Sequence, residues 1–285
     1  MAQFTPFAIG VRGRVVEFRR PAVMGILNIT DDSFYDGGRY REPAAMVAQA
    51  QRLLADGADI IDVGASSSRP GATLLPPDEE ARRLAEAVTL LRQQLPEALL
   101  SVDTCYAMPA RAAIAAGADI INDISGGQFE APVDGIPPIF AAAADLQAPY
   151  ILMHTRGTPD RMQQQTGYDD IVDELARYFS QRLDLLYRLG VKDVWLDPGF
   201  GFAKSLDDNY ELLRRLGELA TLFREPLLTA LSRKSMIYKR LGTTPDEALD
   251  GTTALDAIAL FQGSRLLRVH DPKPARETIK LLYNA

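Results

Sequence analysis

The sequence predicts an α/β protein, and favours a (β/α)8 barrel over an open doubly wound sheet. Three observations carry this expectation. Eight short runs are predominantly apolar with no helical spacing, as suits strands buried on both faces. Stretches with helical spacing separate these runs, and polar side chains stand where the runs end. The segments Ala-Asp-Ile-Ile-Asp-Val-Gly (58–64) and Ala-Asp-Ile-Ile-Asn-Asp-Ile (118–124) read as near copies.

Taken in order, Arg12–Val16 and Glu17–Arg20 read as a small hairpin capping the lower mouth of a barrel. Strands are expected at Ala22–Asn28, Ile60–Val63, Leu99–Asp103 and Ile120–Asp123, then at Tyr150–Met153, Val194–Asp197, Leu227–Leu231 and Leu266–Val269. Pro43 opens the first helix at a position where its missing N–H is harmless, and Gly57 suits its left-handed end. Leu84, Val88, Leu91 and Leu95 recur at helical spacing, as do Ile171, Leu175, Phe179, Leu186 and Leu189. Asp246–Leu260 and Ala275–Leu282 supply the last two helices. No linker or low-complexity tract divides the chain, so a single domain over residues 1–285 is expected.

Composition narrows the function. A net charge of −7 and a pI near 5.0 argue against nucleic acid as the main partner, while leaving room for a local basic pocket. Cys105 is the only cysteine, and His154 and His270 are the only histidines. An intramolecular disulfide, a Cys-rich zinc site and a multi-histidine metal site are therefore excluded. No stretch approaches the roughly 20 apolar residues that span a bilayer, and Met1–Gly10 lacks the pattern of a signal peptide. A cytoplasmic protein without a membrane partner is the expectation.

Asp103, Asn122 and Asp197 end three different strands. Any one alone would serve as a helix cap. Together, two carboxylates and an amide directed at one cavity suit a flat heterocycle bearing several N–H groups. Ser232-Arg233-Lys234-Ser235 follows the seventh strand and Arg268-Val-His270 ends the eighth, where barrels often bind phosphate. Arg and Lys there would give charge-assisted hydrogen bonds, with Ser67, Ser68 and Arg69 adding more from the second loop. Three long loops, Thr30–Tyr40, Ala65–Pro77 and His154–Tyr168, follow strands and so share that face. The turn from Asp197 to Lys204 is not a Walker loop and is weak evidence by itself. Trp195 reads as core.

Several blocks resemble the dihydropteroate synthase family: Met24-Gly-Ile-Leu-Asn-Ile-Thr, Asp32-Ser-Phe-Tyr-Asp-Gly-Gly38, Ser68-Arg-Pro-Gly71, Ser101-Val-Asp-Thr104 and Asn122-Asp-Ile-Ser125. Met153-His154 with Arg156-Gly-Thr158, Leu196-Asp-Pro-Gly-Phe-Gly-Phe202, Ser232-Arg-Lys-Ser235 and Arg268-Val-His270 continue the series in the family's order. The resemblance implies a TIM barrel that joins 6-hydroxymethyl-7,8-dihydropterin diphosphate to 4-aminobenzoate, giving 7,8-dihydropteroate and diphosphate in folate synthesis. It implies that Asp103, Asn122, Asp197 and Lys234 bind the pterin, with Met153 and Phe202 lining its pocket. Asn28, Ser68, Arg69, Arg268 and His270 would hold the diphosphate and Mg²⁺, with Asn28 as the metal ligand. Phe34 and Pro70 would close over the aminobenzoate, with Ser232 near its carboxylate. Lys234, Asp103 and Arg268 are the expected catalytic residues, and a homodimer is implied.

Such chemistry needs no side-chain nucleophile, because the electron-rich dihydropterin can stabilise a cation while diphosphate leaves. Two departures from the family stand out. Thr30-Asp31-Asp32-Ser33 replaces Thr-Pro-Asp-Ser, and Gly-Ala-Ser-Ser-Ser-Arg (64–69) replaces Gly-Glu-Ser-Thr-Arg. A pterin-dependent methyltransferase and a non-catalytic pterin-binding paralogue are the competing readings. The methyltransferase has no need of the two basic motifs.

Overall fold

The computed structural model describes residues 4–29, 42–66 and 73–283. The chain enters through an antiparallel hairpin of β1 (Phe7–Val11) and β2 (Arg14–Phe18), with Phe7 opposite Phe18. Its two-residue turn, Arg12-Gly13, has φ of +48° and +74°, the geometry that matches strand twist. The hairpin thus lies several residues earlier than the sequence suggests. The reason is apolar pairing: Ile9, Val11 and Phe18 are buried against the barrel floor, with Phe7 and Phe18 edge-on to Trp195 at 5.9 and 6.1 Å.

Strands and helices then alternate: β3 (Ala22–Asn28), α1 (Glu42–Ala55), β4 (Ile60–Gly64), α2 (Pro77–Gln94), β5 (Leu99–Asp103) and α3 (Ala107–Ala115). They continue through β6 (Ile120–Asp123), α4 (Pro138–Leu146), β7 (Tyr150–Met153), α5 (Ile171–Arg188), β8 (Val194–Asp197), α6 (Leu206–Arg214) and α7 (Leu216–Leu222). The last elements are β9 (Leu228–Thr229), α8 (Ser235–Leu241), α9 (Leu249–Phe261), β10 (Leu266–Val269) and α10 (Pro272–Leu282). The eight strands after the hairpin are parallel, in the spatial order β8-β7-β6-β5-β4-β3-β10-β9. A bridge between Leu196 and Leu227 joins the two ends, with the Leu196 N–H donating to the Pro226 carbonyl at 3.0 Å. The sheet is therefore a barrel rather than an open doubly wound sheet. β9 is shorter than expected because Ala230 and Leu231 leave the ladder for a turn at Arg233, whose φ is +56°.

Strand alternation sorts the side chains into two cores. Outward-facing Ile61, Val63, Leu100 and Val102 pack under Leu84, Val88 and Leu91 of α2. Inward-facing Met24, Ile60, Leu99, Ile120, Ile151 and Trp195 fill the lower barrel together with the hairpin. Each such fully buried side chain contributes about 1.5–3 kcal/mol. That apolar plug seals one end and leaves the upper interior to polar groups. No helix among the described residues is long and apolar enough to cross a membrane.

Candidate active site

The period of two along each strand brings the chemistry together. One step above the plug, Asp62, Ser101, Asn122, Met153, Asp197 and Arg268 occupy inward positions; one step higher stand Asn28, Gly64 and Asp103. Asp103 and Asn122 pair in register across β5 and β6, and Met153 pairs with Asp197 across β7 and β8.

Arg268 organises this layer. Its Nε donates to Asp62 Oδ2 at 2.6 Å and its Nη2 to Asp103 Oδ2 at 2.7 Å. Burial alone would lower the guanidinium's pKa, but Asp62 and Asp103 outweigh it and hold the group charged. Asn122 Nδ2 donates to the same Asp62 oxygen at 3.0 Å. Burial pushes Asp103 up to about 7, against the pull of Arg268 and with repulsion from Asp62, Asp123 and Asp197 adding to it. Asp197 is also raised by burial, opposed by Lys234 and by the Gly199 N–H, which donates to it at 2.7 Å.

Lys234 reaches this floor from the loop after β9. Its Nζ donates to the Phe200 carbonyl and lies 4.8 Å from the centre of the Phe202 ring. Burial lowers the ammonium to about 8, with Asp197 resisting. Phe202 packs on a small apolar cluster of Met153, Ile124 and Cys105, which gives the pocket one flat greasy wall. Cys105 is buried there and its thiol is held far from ionisation, so it is an inert core residue. At the rim, Ser232 Oγ and His270 Nδ1 share a hydrogen bond of 3.0 Å.

Asp103, Asn122, Asp197, Lys234 and Arg268 thus converge as expected, with Met153 and Phe202 beside them and Ser232 and His270 at the lip. The four-residue basic run divides, however. Arg233 turns away and grips Asp271 through two bonds of 2.9 and 3.1 Å, along with the carbonyls of Pro245 and Asp246. It ties the loop between α8 and α9 to the start of α10. Phe34, Ser67, Ser68, Arg69, Pro70 and Asp31 lie outside the described residues.

Two interior groups escaped sequence reasoning. Asp62 is wholly buried and joins two strands' worth of ligands, yet it stands mid-strand rather than at a strand end. Its inward parity with Ile60 was the available signal. Lys204 is also buried; its Nζ donates to the Gly199 and Phe202 carbonyls at 3.0 and 3.1 Å and meets His154 Nδ1 at 3.0 Å. The turn from Gly199 to Phe202 is consequently clasped by Lys204 on one side and Lys234 on the other. A side chain at Gly199 would collide with the His154 carbonyl oxygen. Behind Asp103, Glu80 of α2 is buried and raised to about 7 by that burial.

A divalent cation can be tested against these donors. No group of three or more His, Cys, Asp or Glu side chains is placed to hold a metal among the described residues. Asn28 ends β3 with its Oδ1 near Gly64, and Asp103 Oδ2 lies on the other side of that glycine. One neutral oxygen at the rim fits Mg²⁺, which keeps waters and takes most other ligands from substrate phosphates.

An acidic floor for N–H groups, a flat apolar wall and a fixed arginine at the top of a barrel define an enzyme for a planar nitrogen heterocycle carrying an anionic group. The comparisons agree. The family model described as pterin binding enzyme matches residues 24–270. A dihydropteroate synthase of Synechocystis sp. is 44% identical over 266 residues, covering 92% of this chain and 89% of its own. The dihydropteroate synthase of Xanthomonas albilineans, solved with 4-aminobenzoic acid, superposes with a TM-score of 0.87 at 38% identity, over 98% of this chain and 97% of that one. The Yersinia pestis enzyme in a sulfonamide drug complex gives the same TM-score of 0.87 at 38% identity, over 97% and 98%. The chain belongs to the dihydropteroate synthases, within the pterin-binding enzymes.

Proposed function

We propose that this chain condenses 6-hydroxymethyl-7,8-dihydropterin diphosphate with 4-aminobenzoate, releasing 7,8-dihydropteroate and diphosphate. The observation that carries the reading is the convergence of Asp103, Asn122, Asp197 and Lys234 around Arg268. A dihydropterin offers its exocyclic amine and ring N–H groups to acceptors and its carbonyl and ring nitrogens to donors. The acidic floor supplies the former and Lys234 the latter. Phe202 and Met153 cover the ring face.

The C–O bond to diphosphate breaks first, and the electron pair leaves with the diphosphate. Asp103 and Asp197 favour the resulting cation electrostatically, in a low-dielectric site whose groups are already oriented. Arg268 and His270 receive the growing negative charge, and bound Mg²⁺, held by Asn28, would neutralise more of it. The aniline nitrogen of 4-aminobenzoate then forms the new C–N bond and sheds a proton to the diphosphate or water. No side-chain nucleophile takes part.

Three finer points belong to the same reading. Ile258, Phe261 and Leu281 are exposed on α9 and α10, which supports a homodimer formed through the last helices. One cysteine and no need for a disulfide support a cytoplasmic location. Asp31 puts a charge where the family has a rigid proline, so the aminobenzoate KM and sulfonamide Ki should differ from the usual enzyme. Identical constants after Asp31→Pro would remove that last point. The main test is diphosphate release by purified protein with and without 4-aminobenzoate. Release that depends on the amine is expected; none in either case would dispose of the proposal.

A further inference from the structure

We infer that Asp62 is a positioning residue that couples the pterin and diphosphate halves of the proposed site. The inference rests on the reading of the site given above. Asp62 Oδ2 accepts from both Arg268 Nε at 2.6 Å and Asn122 Nδ2 at 3.0 Å, so one carboxylate oxygen joins a residue of each half.

The two carboxylates on Arg268 are not equivalent. The Asp62 side chain is 0% exposed, whereas 11% of the Asp103 side chain remains exposed. Asp62 is the fixed anchor and Asp103 the exchangeable partner. A pterin N–H donated to Asp103 satisfies part of that carboxylate's charge. Arg268 Nη2 is then released toward a phosphate oxygen, while Nε stays on Asp62 and keeps the planar guanidinium aimed.

Asn122 is oriented by the same oxygen. Asn122 presents its NH₂ to Asp62, which accepts through Oδ2. Its Oδ1 and second N–H are left for the heterocycle, one acceptor and one donor side by side. Occupation of the pterin half thereby favours the diphosphate half, and the reverse holds equally, because binding linkage is reciprocal.

The test is calorimetric titration of the full chain with two fragments, 6-hydroxymethyl-7,8-dihydropterin and inorganic diphosphate with Mg²⁺, each alone and in the presence of the other. In the native chain each fragment should tighten the other about tenfold, within the range usual for coupled sites. Asp62→Asn should reduce that factor below about twofold, because a neutral carboxamide grips neither donor as a charged oxygen does. Arg268→Lys keeps the charge but has no Nε, and should lose the coupling while still binding diphosphate; it serves if Asp62→Asn fails to fold. Thr229→Val, which removes a buried hydroxyl of β9 bonded to Ser264 and the Leu266 carbonyl outside this layer, should retain full coupling and excludes a general packing effect. The inference is overturned if Asp62→Asn couples as the native chain does, or if the native chain binds both fragments independently. A native chain that binds no dihydropterin overturns the site reading along with it.

Discussion

The lower and upper halves of the barrel interior are built from the same strands by the same alternation, yet they do opposite work. Ile60, Leu99, Ile120 and Trp195 pack together at the bottom, and the hairpin closes over them. Two residues further along those strands stand Asp62, Ser101, Asn122 and Asp197, each 4% exposed or less. The floor gains free energy from burial, whereas the layer above it costs free energy that the bonds among Asp62, Asn122, Asp103 and Arg268 offset. A barrel can therefore hold strained electrostatics at one end because the other end stabilises the fold without it.

The largest effect should come from removing the cation that holds the upper layer. Arg268→Ala leaves Asp62 and Asp103 buried without their partner, and should cost about 3–5 kcal/mol in urea unfolding. Diphosphate release should fall by at least about 10²-fold in the same variant. A comparable stability loss, again about 3–5 kcal/mol, is expected for Trp195→Ala in the floor. There the folded fraction should keep kcat/KM within a few fold. Equal activity losses in the two variants would erase the distinction between the layers.

Lys234→Ala separates function from stability most sharply. Turnover should drop by about 10²-fold. Stability should be unchanged or higher, since a desolvated ammonium is removed from the interior. A destabilised but active variant would place Lys234 in the scaffold instead.

The pH dependence sharpens the same contrast. With Asp103 raised to about 7 and Lys234 lowered to about 8, kcat/KM should follow a narrow bell, needing the first ionised and the second protonated. Glu80 also titrates near 7, so the Asp103→Asn variant is required to assign the acid limb. Stability has its own sign. Because Asp103 binds its proton more tightly when folded, the native state is favoured below the unfolded pKa of 3.8, and that advantage is lost as pH rises through about 7. Lys234 acts the other way: its penalty is full below about 8 and fades as pH rises towards 10.5. Urea midpoints for Asp103→Asn should accordingly fall less between pH 4 and 7 than those of the native chain.

The smallest effect is expected at Arg233. Its pairing with Asp271 is partly exposed, so Arg233→Ala should cost about 1 kcal/mol and shift the KM for the pterin diphosphate less than about twofold. A large rise in KM would mean that the basic run acts as a unit after all.

Most of the architecture was legible because parallel strands are apolar on both faces and because glycines and prolines punctuate the helices. Gly57 does end α1 with a φ of +102°. The convergence of Asp103, Asn122 and Asp197 was legible too, since strand ends in a barrel share one mouth. Three things were not. The hairpin slid toward the N-terminus because its register is set by packing against Trp195, a contact distant in sequence. Arg233 and Lys234 read as one basic patch, although a left-handed φ at Arg233 sends adjacent side chains in opposite directions. Asp62 hid inside its strand, where a carboxylate looks like an interruption until Arg268, far along the chain, arrives beside it.

The central claim is that the polar layer above the floor is where the heterocycle binds. The most direct measurement is the Kd of 6-hydroxymethyl-7,8-dihydropterin diphosphate for the native chain and for Asp197→Asn, by calorimetry at pH 7.5. Loss of one carboxylate acceptor should weaken binding by about tenfold to a hundredfold, the equivalent of about 1.4–2.8 kcal/mol. An unchanged Kd, with the variant folded, would put the pterin somewhere other than this pocket.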